Sequence, residues 1–230
     1  MAASEVGIEW VQDYHSWWWP DLMNCREEAE RFQNRLDGIA SFNYGDDYAW
    51  DEDFEQQGAG FWNPAGTDSL YADNVDIVFY SGHGASIGPH FGVSSHDSGE
   101  VHHDELRLGD KDAEWAVFDA CYVVSEGGKY YNNCWDIFQG LHFIFGFHTV
   151  SHDSPTRGEI FAEYLNDGET TRNAWIKACQ ETEGSSTEWA YLRAGSSGTT
   201  TYNEQWFSAG TVSKDPDPAT ETIYYLRGTC

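Results

Sequence analysis

The sequence predicts an α/β fold built on a mostly parallel sheet, and three observations carry that expectation. Compact runs of strand-forming apolar residues recur along the chain. Segments with apolar residues at helical spacing alternate with them. Two of the runs end in polar residues framed by small ones, which is where open α/β sheets place their chemistry.

Each element has its own signal. Residues 6–11, Val-Gly-Ile-Glu-Trp-Val, alternate apolar and polar and read as a strand. Pro20 then reads as the first turn of a helix, with Leu22, Cys25, Ala29, Phe32 and Leu36 on one face and Gly38 at its end. Residues 41–70 mix glycine, aspartate and aromatics without a period, and read as an irregular excursion. Val75 to Tyr80 is a buried strand running into Ser81-Gly82-His83-Gly84, and 85–104 has the composition of a hairpin excursion. Trp115 to Phe118 is a second buried strand, ending in Asp119-Ala120-Cys121. Leu141 to Phe147 makes a third. Ser154-Pro155 opens a helix carrying Ile160, Phe161, Tyr164 and Leu165, closed by Gly168. Thr170 or Thr171 caps another with Trp175, Ala178, Cys179 and Thr182 on one side. Trp189 to Leu192 is a fourth strand, residues 195–222 are mostly loop, and Ile223 to Leu226 adds an edge strand. With no internal repeat or low-complexity linker, residues 1–230 read as a single domain.

Composition narrows the function. Twelve Lys and Arg face 39 Asp and Glu, a formal charge of −27. Such a surface repels nucleic acid and anionic membranes, so neither is expected as a partner. It suits a salty cytoplasm, since only four of the cations are lysine; it also suits recruitment of basic substrates. No apolar run approaches the roughly 20 residues of a membrane span, and Met1 to Trp10 lacks the pattern of a signal peptide. The five cysteines are odd in number and form no CxxC, which points to a reducing, cytoplasmic setting rather than a disulfide scaffold. Cys25 and Cys179 fall on apolar helix faces and read as inert core thiols. The Trp17-Trp18-Trp19 run is expected to be a packed loop.

The chemistry lies at the ends of the two central strands. Neighbouring parallel strands lie about 5 Å apart, so His83 and Cys121 are expected to meet. A thiol of pKa about 8.5 is mostly protonated at neutral pH, and an adjacent imidazole raises its thiolate fraction. The backbone N–H groups of Gly84 and Cys121 are candidates for holding a developing oxyanion.

An apolar strand, Ser-Gly-His-Gly, a second apolar strand and Asp-Ala-Cys together resemble the signature of caspase-like cysteine peptidases, over about residues 70–182. Val101 to Leu106, Gly140 to Val150 and Ser154 to Gln180 extend the likeness. The resemblance implies a three-layer caspase-like fold with helices flanking the sheet. It implies His83 as acid and base, Cys121 as nucleophile and Gly84 in the oxyanion hole. Asp119 matches an acidic position that in metacaspases lines the pocket for a basic P1 side chain. The chain departs from the pattern in following the nucleophile directly with Tyr122-Val123-Val124, and in the short stretch between Leu106 and Trp115.

The expected activity is therefore cysteine-dependent cleavage or transfer at a peptide bond, through a thioester, on a peptide or protein substrate that prefers a basic residue. No metal and no organic cofactor are expected. His148 and Asp153, after the third strand, are candidate substrate contacts. Three alternatives stand beside this reading. One is a catalytically inactive binding module on the same scaffold. Another is a biosynthetic enzyme acting on a small or modified peptide in an aromatic-rich pocket. The last is a metal-dependent hydrolase using His90, His96, His102, His103, His148 and His152 with nearby aspartates. Asp46 to Phe54 is acidic and aromatic but lacks the spacing of a calcium loop, and reads as solvated.

Overall fold

The apolar runs pair into one seven-stranded sheet in a computed structural model that describes residues 4–60, 65–92, 98–195 and 201–230. In chain order the strands are β1 (Glu5–Trp10), β2 (Ile39–Gly45), β3 (Ile77–Ser81), β6 (Trp115–Asp119), β7 (Phe143–Phe147), β8 (Glu188–Gly195) and β9 (Thr222–Thr229). Two further short strands, β4 (Gly84–Ala85) and β5 (Gly88–Pro89), form a separate antiparallel ribbon. The spatial order is β2-β1-β3-β6-β7-β8-β9. The first five run parallel, and β8 and β9 add antiparallel.

Alternation along the strands divides the core. Ile77 and Phe79 of β3, Val117 of β6 and Phe145 of β7 point to one face, where they meet Phe32, Phe161 and Trp175. Those three belong to the long helices α1 (Cys25–Arg35), α4 (Arg157–Asn166) and α5 (Thr171–Thr182). Val78, Tyr80, Ala116, Phe118 and Ile144 point the other way, onto Phe54, Phe91, Leu106, Tyr130 and Ile137. That face is covered mainly by irregular chain and by two single-turn helices, α2 (Lys129–Asn132) and α3 (Cys134–Ile137). The sheet is thus flanked on both faces, but unequally.

Some boundaries differ from the sequence reading. The excursion from residue 41 begins inside β2, an edge strand in which only Phe42 is buried, so no apolar run announces it. The first helix begins at Cys25, not Pro20. The intervening residues are held as a loop, with Leu22 N–H donating to Gln12 O at 2.9 Å. Thr170 does cap its helix, accepting from Asn173 N–H at 3.4 Å. The tryptophan run is not a packed loop: Trp17 and Trp18 are 93% and 84% exposed, and only Trp19 turns inward.

The charge excess reaches the interior. Burial pushes the carboxyls of Asp53, Asp68 and Asp73 up to about 6, 7 and 8 respectively. Their folded pKa values exceed their unfolded ones, so the folded protein binds more protons between pH about 4 and about 8, and stability falls as pH rises through that window. Each pH unit of difference corresponds to about 1.4 kcal/mol, and 1 kcal/mol moves the melting point of a chain this size by about 2–4 °C. Scanning calorimetry at constant ionic strength is therefore expected to show a melting temperature at least about 5 °C higher at pH 5 than at pH 8. A flat or rising profile would mean these carboxyls ionise freely in the fold.

Candidate active site

The site is set by register. Ser81 at the end of β3 pairs with Asp119 at the end of β6, and Gly82 N–H donates to Asp119 O at 3.3 Å. His83 and Cys121 each lie two residues past that pair, on adjacent parallel strands. Both line one cleft of about 190 Å³, with Leu22, Cys25, Glu28, Ser81, Asp119 and Ser151 among its walls.

His83 is held from three sides. Its Nε2 lies 2.8 Å from Pro20 O. A carbonyl only accepts, so Nε2 carries the proton and Nδ1 keeps its lone pair. Tyr14 packs against the ring at 4.6 Å between centroids, tilted by 49°, and its hydroxyl accepts the His83 backbone N–H at 2.5 Å. Trp19 lies over the ring at 5.2 Å and over His90 at 4.1 Å. Burial lowers the His83 pKa from its ordinary value, against the opposing pull of the Pro20 carbonyl. Burial thereby favours the neutral imidazole.

Cys121 is half-exposed, and Ser151 N–H donates to its sulfur at 3.3 Å. A backbone N–H aimed at sulfur is a donor for the thiolate. The thiol also approaches Ser151 O at 3.6 Å. No hydrogen bond joins the sulfur to His83 among the described residues. The chain then turns sharply: Tyr122 has φ +63°, a conformation glycine favours, and its N–H is anchored on Thr149 O at 3.1 Å. The tyrosine thus takes the turn that a glycine takes more easily.

Gly84 sits against this turn. A Cβ there would lie 2.6 Å from Val123 Cγ2, 2.8 Å from Ala120 Cβ and 2.9 Å from Cys121 O. Gly84→Ala is expected to push the loop of Cys121 outward, destabilising the protein by about 1–3 kcal/mol and cutting Cys121 reactivity. Thermal melts and site-resolved alkylation of the variant check both effects.

The floor of the cleft is acidic and partly neutralised from within. Asp119 is 5% exposed, and its Oδ1 accepts from Arg157 Nη1 at 2.5 Å. Arg157 is fully buried and also donates to Glu183 Oε1 at 2.5 Å, His152 O at 2.9 Å and Thr182 Oγ1 at 3.0 Å. Glu28 accepts from Ser81 Oγ at 2.7 Å and lies 4.0 Å from the same guanidinium. Burial raises the Glu28 and Asp119 pKa values; their mutual repulsion adds to the rise at Glu28, while Arg157 opposes both. Glu28 and Asp119 also hydrogen-bond to each other, a contact that raises Glu28 and lowers Asp119, so Glu28 holds the shared proton.

The remaining sequence candidates divide. Asp153 lines the cleft, but its carboxylate also accepts from Met23 N–H at 2.6 Å and Asn24 N–H at 3.0 Å, fixing the start of α1. His148 is not brought to the cleft. It follows β7 on the side of β9, where its Nδ1 accepts from Glu126 N–H and contacts Tyr225 hydroxyl, both at 3.0 Å, and Arg227 holds its other edge. Among the described residues the histidines form no cluster close enough to hold a metal: His90 and His102 both approach Glu100, at 2.9 and 4.0 Å, and His152 pairs with Glu183 at 2.7 Å, while His96 lies outside the described residues. Among the described residues, the acids that cluster closely enough for a metal are Glu5, Asp76 and Asp112, at the opposite end of the strands. Sequence reasoning missed Glu28, Ser151, Arg157, Tyr14 and the Pro20 carbonyl.

Among the described residues no helix is long and apolar enough to cross a membrane. A family model described as a domain of unknown function (DUF6345) matches residues 8–228, nearly the whole chain. No curated protein matches it.

Proposed function

Because the chain belongs to the DUF6345 family, whose description assigns no activity, we propose from the cleft itself that it is a cysteine-dependent enzyme acting at peptide bonds, related in chemistry to the caspase-like peptidases. The observation that carries the reading is the register: Ser81 opposite Asp119 delivers His83 and Cys121 to one cleft. Cys121 sulfur attacks the substrate carbonyl, and its proton passes to His83 Nδ1. The C–N bond breaks as the amine leaves with that proton, giving a thioester. Water, or a second amine in a transferase, then attacks the thioester and frees the thiol. The N–H groups of Gly84 and Cys121 are assigned to the oxyanion.

The substrate side chain entering the cleft is proposed to be basic. Asp119, Glu28 and Asp153 all line it, and the Arg157 guanidinium faces the first two. An arginine or lysine side chain would pair with these acids. Among the described residues no tryptophan belongs to the lining, which speaks against an aromatic-walled pocket for a modified peptide.

One observation favours a second reading, a binding module with an idle dyad: the thiol rests on Ser151, and no hydrogen bond links it to the imidazole. Iodoacetamide labelling across pH, with adducts located by mass spectrometry, separates the two. Site resolution matters because Cys230 is also accessible and Cys179 lowers its pKa by a hydrogen bond. Fast labelling of Cys121, slowed in His83→Ala, is the result expected of an enzyme. Labelling indifferent to His83 would favour the binding module.

A further inference from the structure

A second pit, separate from the dyad cleft, opens beyond the carboxyl end of β2. Tyr44, Tyr48, Trp50, Asp53 and Tyr71 line it, around a volume of about 220 Å³. Its walls are aromatic on several sides. Tyr44 and Tyr71 meet nearly edge to face, with centroids 5.4 Å apart and planes at 71°, and Phe42 packs against both from behind. The Trp50 indole is fixed by its N–H donating to Asp47 O at 3.0 Å. Tyr48 stands at the rim, 72% exposed.

Asp53 is the acidic group of this cage. It is 1% exposed, and its Oδ1 accepts from Thr67 Oγ1 at 2.7 Å. Behind it lies the carboxyl of Glu9, fully buried on β1, which hydrogen-bonds to Asp53 and to the Trp50 backbone. Among the described residues, the charges acting most strongly on both carboxyls are other acids. Burial and the contact with Asp53 push Glu9 well above the usual carboxylate range, so Glu9 holds the shared proton and Asp53 carries the negative charge set behind the ring of π faces.

We propose that this pit binds a trimethylammonium headgroup. The negative faces of Tyr44, Tyr48, Trp50 and Tyr71 attract a cation, and Asp53 supplies the full charge. Methylation matters because the aromatic walls cannot replace the hydrogen bonds a primary ammonium makes with water, whereas N-methyl groups bury well against rings. Such a headgroup occurs on free solutes such as choline and on trimethylated lysine in a peptide; the cage chemistry is the same for both.

Calorimetric titration of the intact chain tests this, with tetramethylammonium, choline and a trimethyllysine peptide as cations. The uncharged choline isostere 3,3-dimethylbutanol is the control. Saturable binding of at least one cation is expected, about tenfold or more tighter than the isostere. The tighter of choline and the peptide identifies the source. Tyr48→Ala, at an exposed position, and Asp53→Asn, which keeps an acceptor for Thr67, are each expected to weaken binding about fivefold or more. In parallel, the indole N–H resonance of Trp50, assigned through Trp50→Phe, is expected to shift on titration. Absence of binding by all three cations, equal binding of the isostere, or binding that both folded variants retain would overturn the proposal.

Discussion

Cys121→Ala is expected to lower turnover of basic-P1 fluorogenic peptides by at least about 10³-fold while the melting temperature stays close to the parent's. The thiol is half-exposed and its contacts are to Ser151, so its removal costs little packing. Cys121→Ser is expected to be equally inactive, because a hydroxyl is a far weaker nucleophile than a thiolate. His83→Ala should cost a comparable factor, with one added signature. Burial lowers the His83 pKa, so in the parent the acid limb of the pH–rate profile should lie below the ordinary imidazole value of about 6.5. Below that limb His83 is protonated and cannot accept the thiol proton; above it the base is available. Full turnover in Cys121→Ala would end the thiol mechanism. An acid limb unchanged in a residually active His83 variant would assign that limb to another group.

The parts of this site that were legible in the sequence are those carried by continuous chain. A buried strand followed by Ser-Gly-His-Gly, and another followed by Asp-Ala-Cys, place His83 and Cys121 at strand ends whatever the loops do, and parallel pairing brings them together. The partners that orient them were not legible, for two physical reasons. Some are backbone groups: the Pro20 carbonyl and the Ser151 N–H have no residue-type signature and depend on how distant loops pack. Others are charged residues that local pattern reads as surface. Glu28 sits in a charged helix, Cys25 to Arg35, and Arg157 opens α4 after Thr156, later than the Ser154-Pro155 cap the sequence suggests, yet both are buried against the end of β6. The same limit applies to the fold. β2 presents one buried residue in seven, so its pairing with β1 is visible only in three dimensions. His148 shows the converse error: strand-end position alone does not decide which way a side chain turns, and here β9 captures it.

Arg157→Met is expected to destabilise the protein by about 3–5 kcal/mol, one of the largest losses available to a single substitution here. The guanidinium is fully buried at the meeting point of four elements. It joins Asp119 at the end of β6, Glu28 of α1, Glu183 beyond α5 and the carbonyl of His152 in the cleft wall, and it lies 4.8 Å over the Phe147 ring. Methionine restores apolar volume against Phe147 but leaves three carboxyls facing one another without a cation. Glu28 and Asp119 already sit above their usual range because burial outweighs Arg157; without the guanidinium they rise further. The variant is therefore expected to be least impaired in mild acid, where those carboxyls hold protons, and to lose stability more steeply than the parent as pH rises toward 8. Asp119→Asn added to Arg157→Met should recover part of the loss, since it removes one of the stranded charges. Denaturant titrations of the four proteins in that double-mutant cycle, at pH 5 and pH 8, measure the coupling. Additive losses with no pH dependence would mean that Arg157 serves by packing alone. In that case its charge would leave the acids of the cleft uncompensated, and they would depend on a basic substrate or on solvent cations for neutralisation.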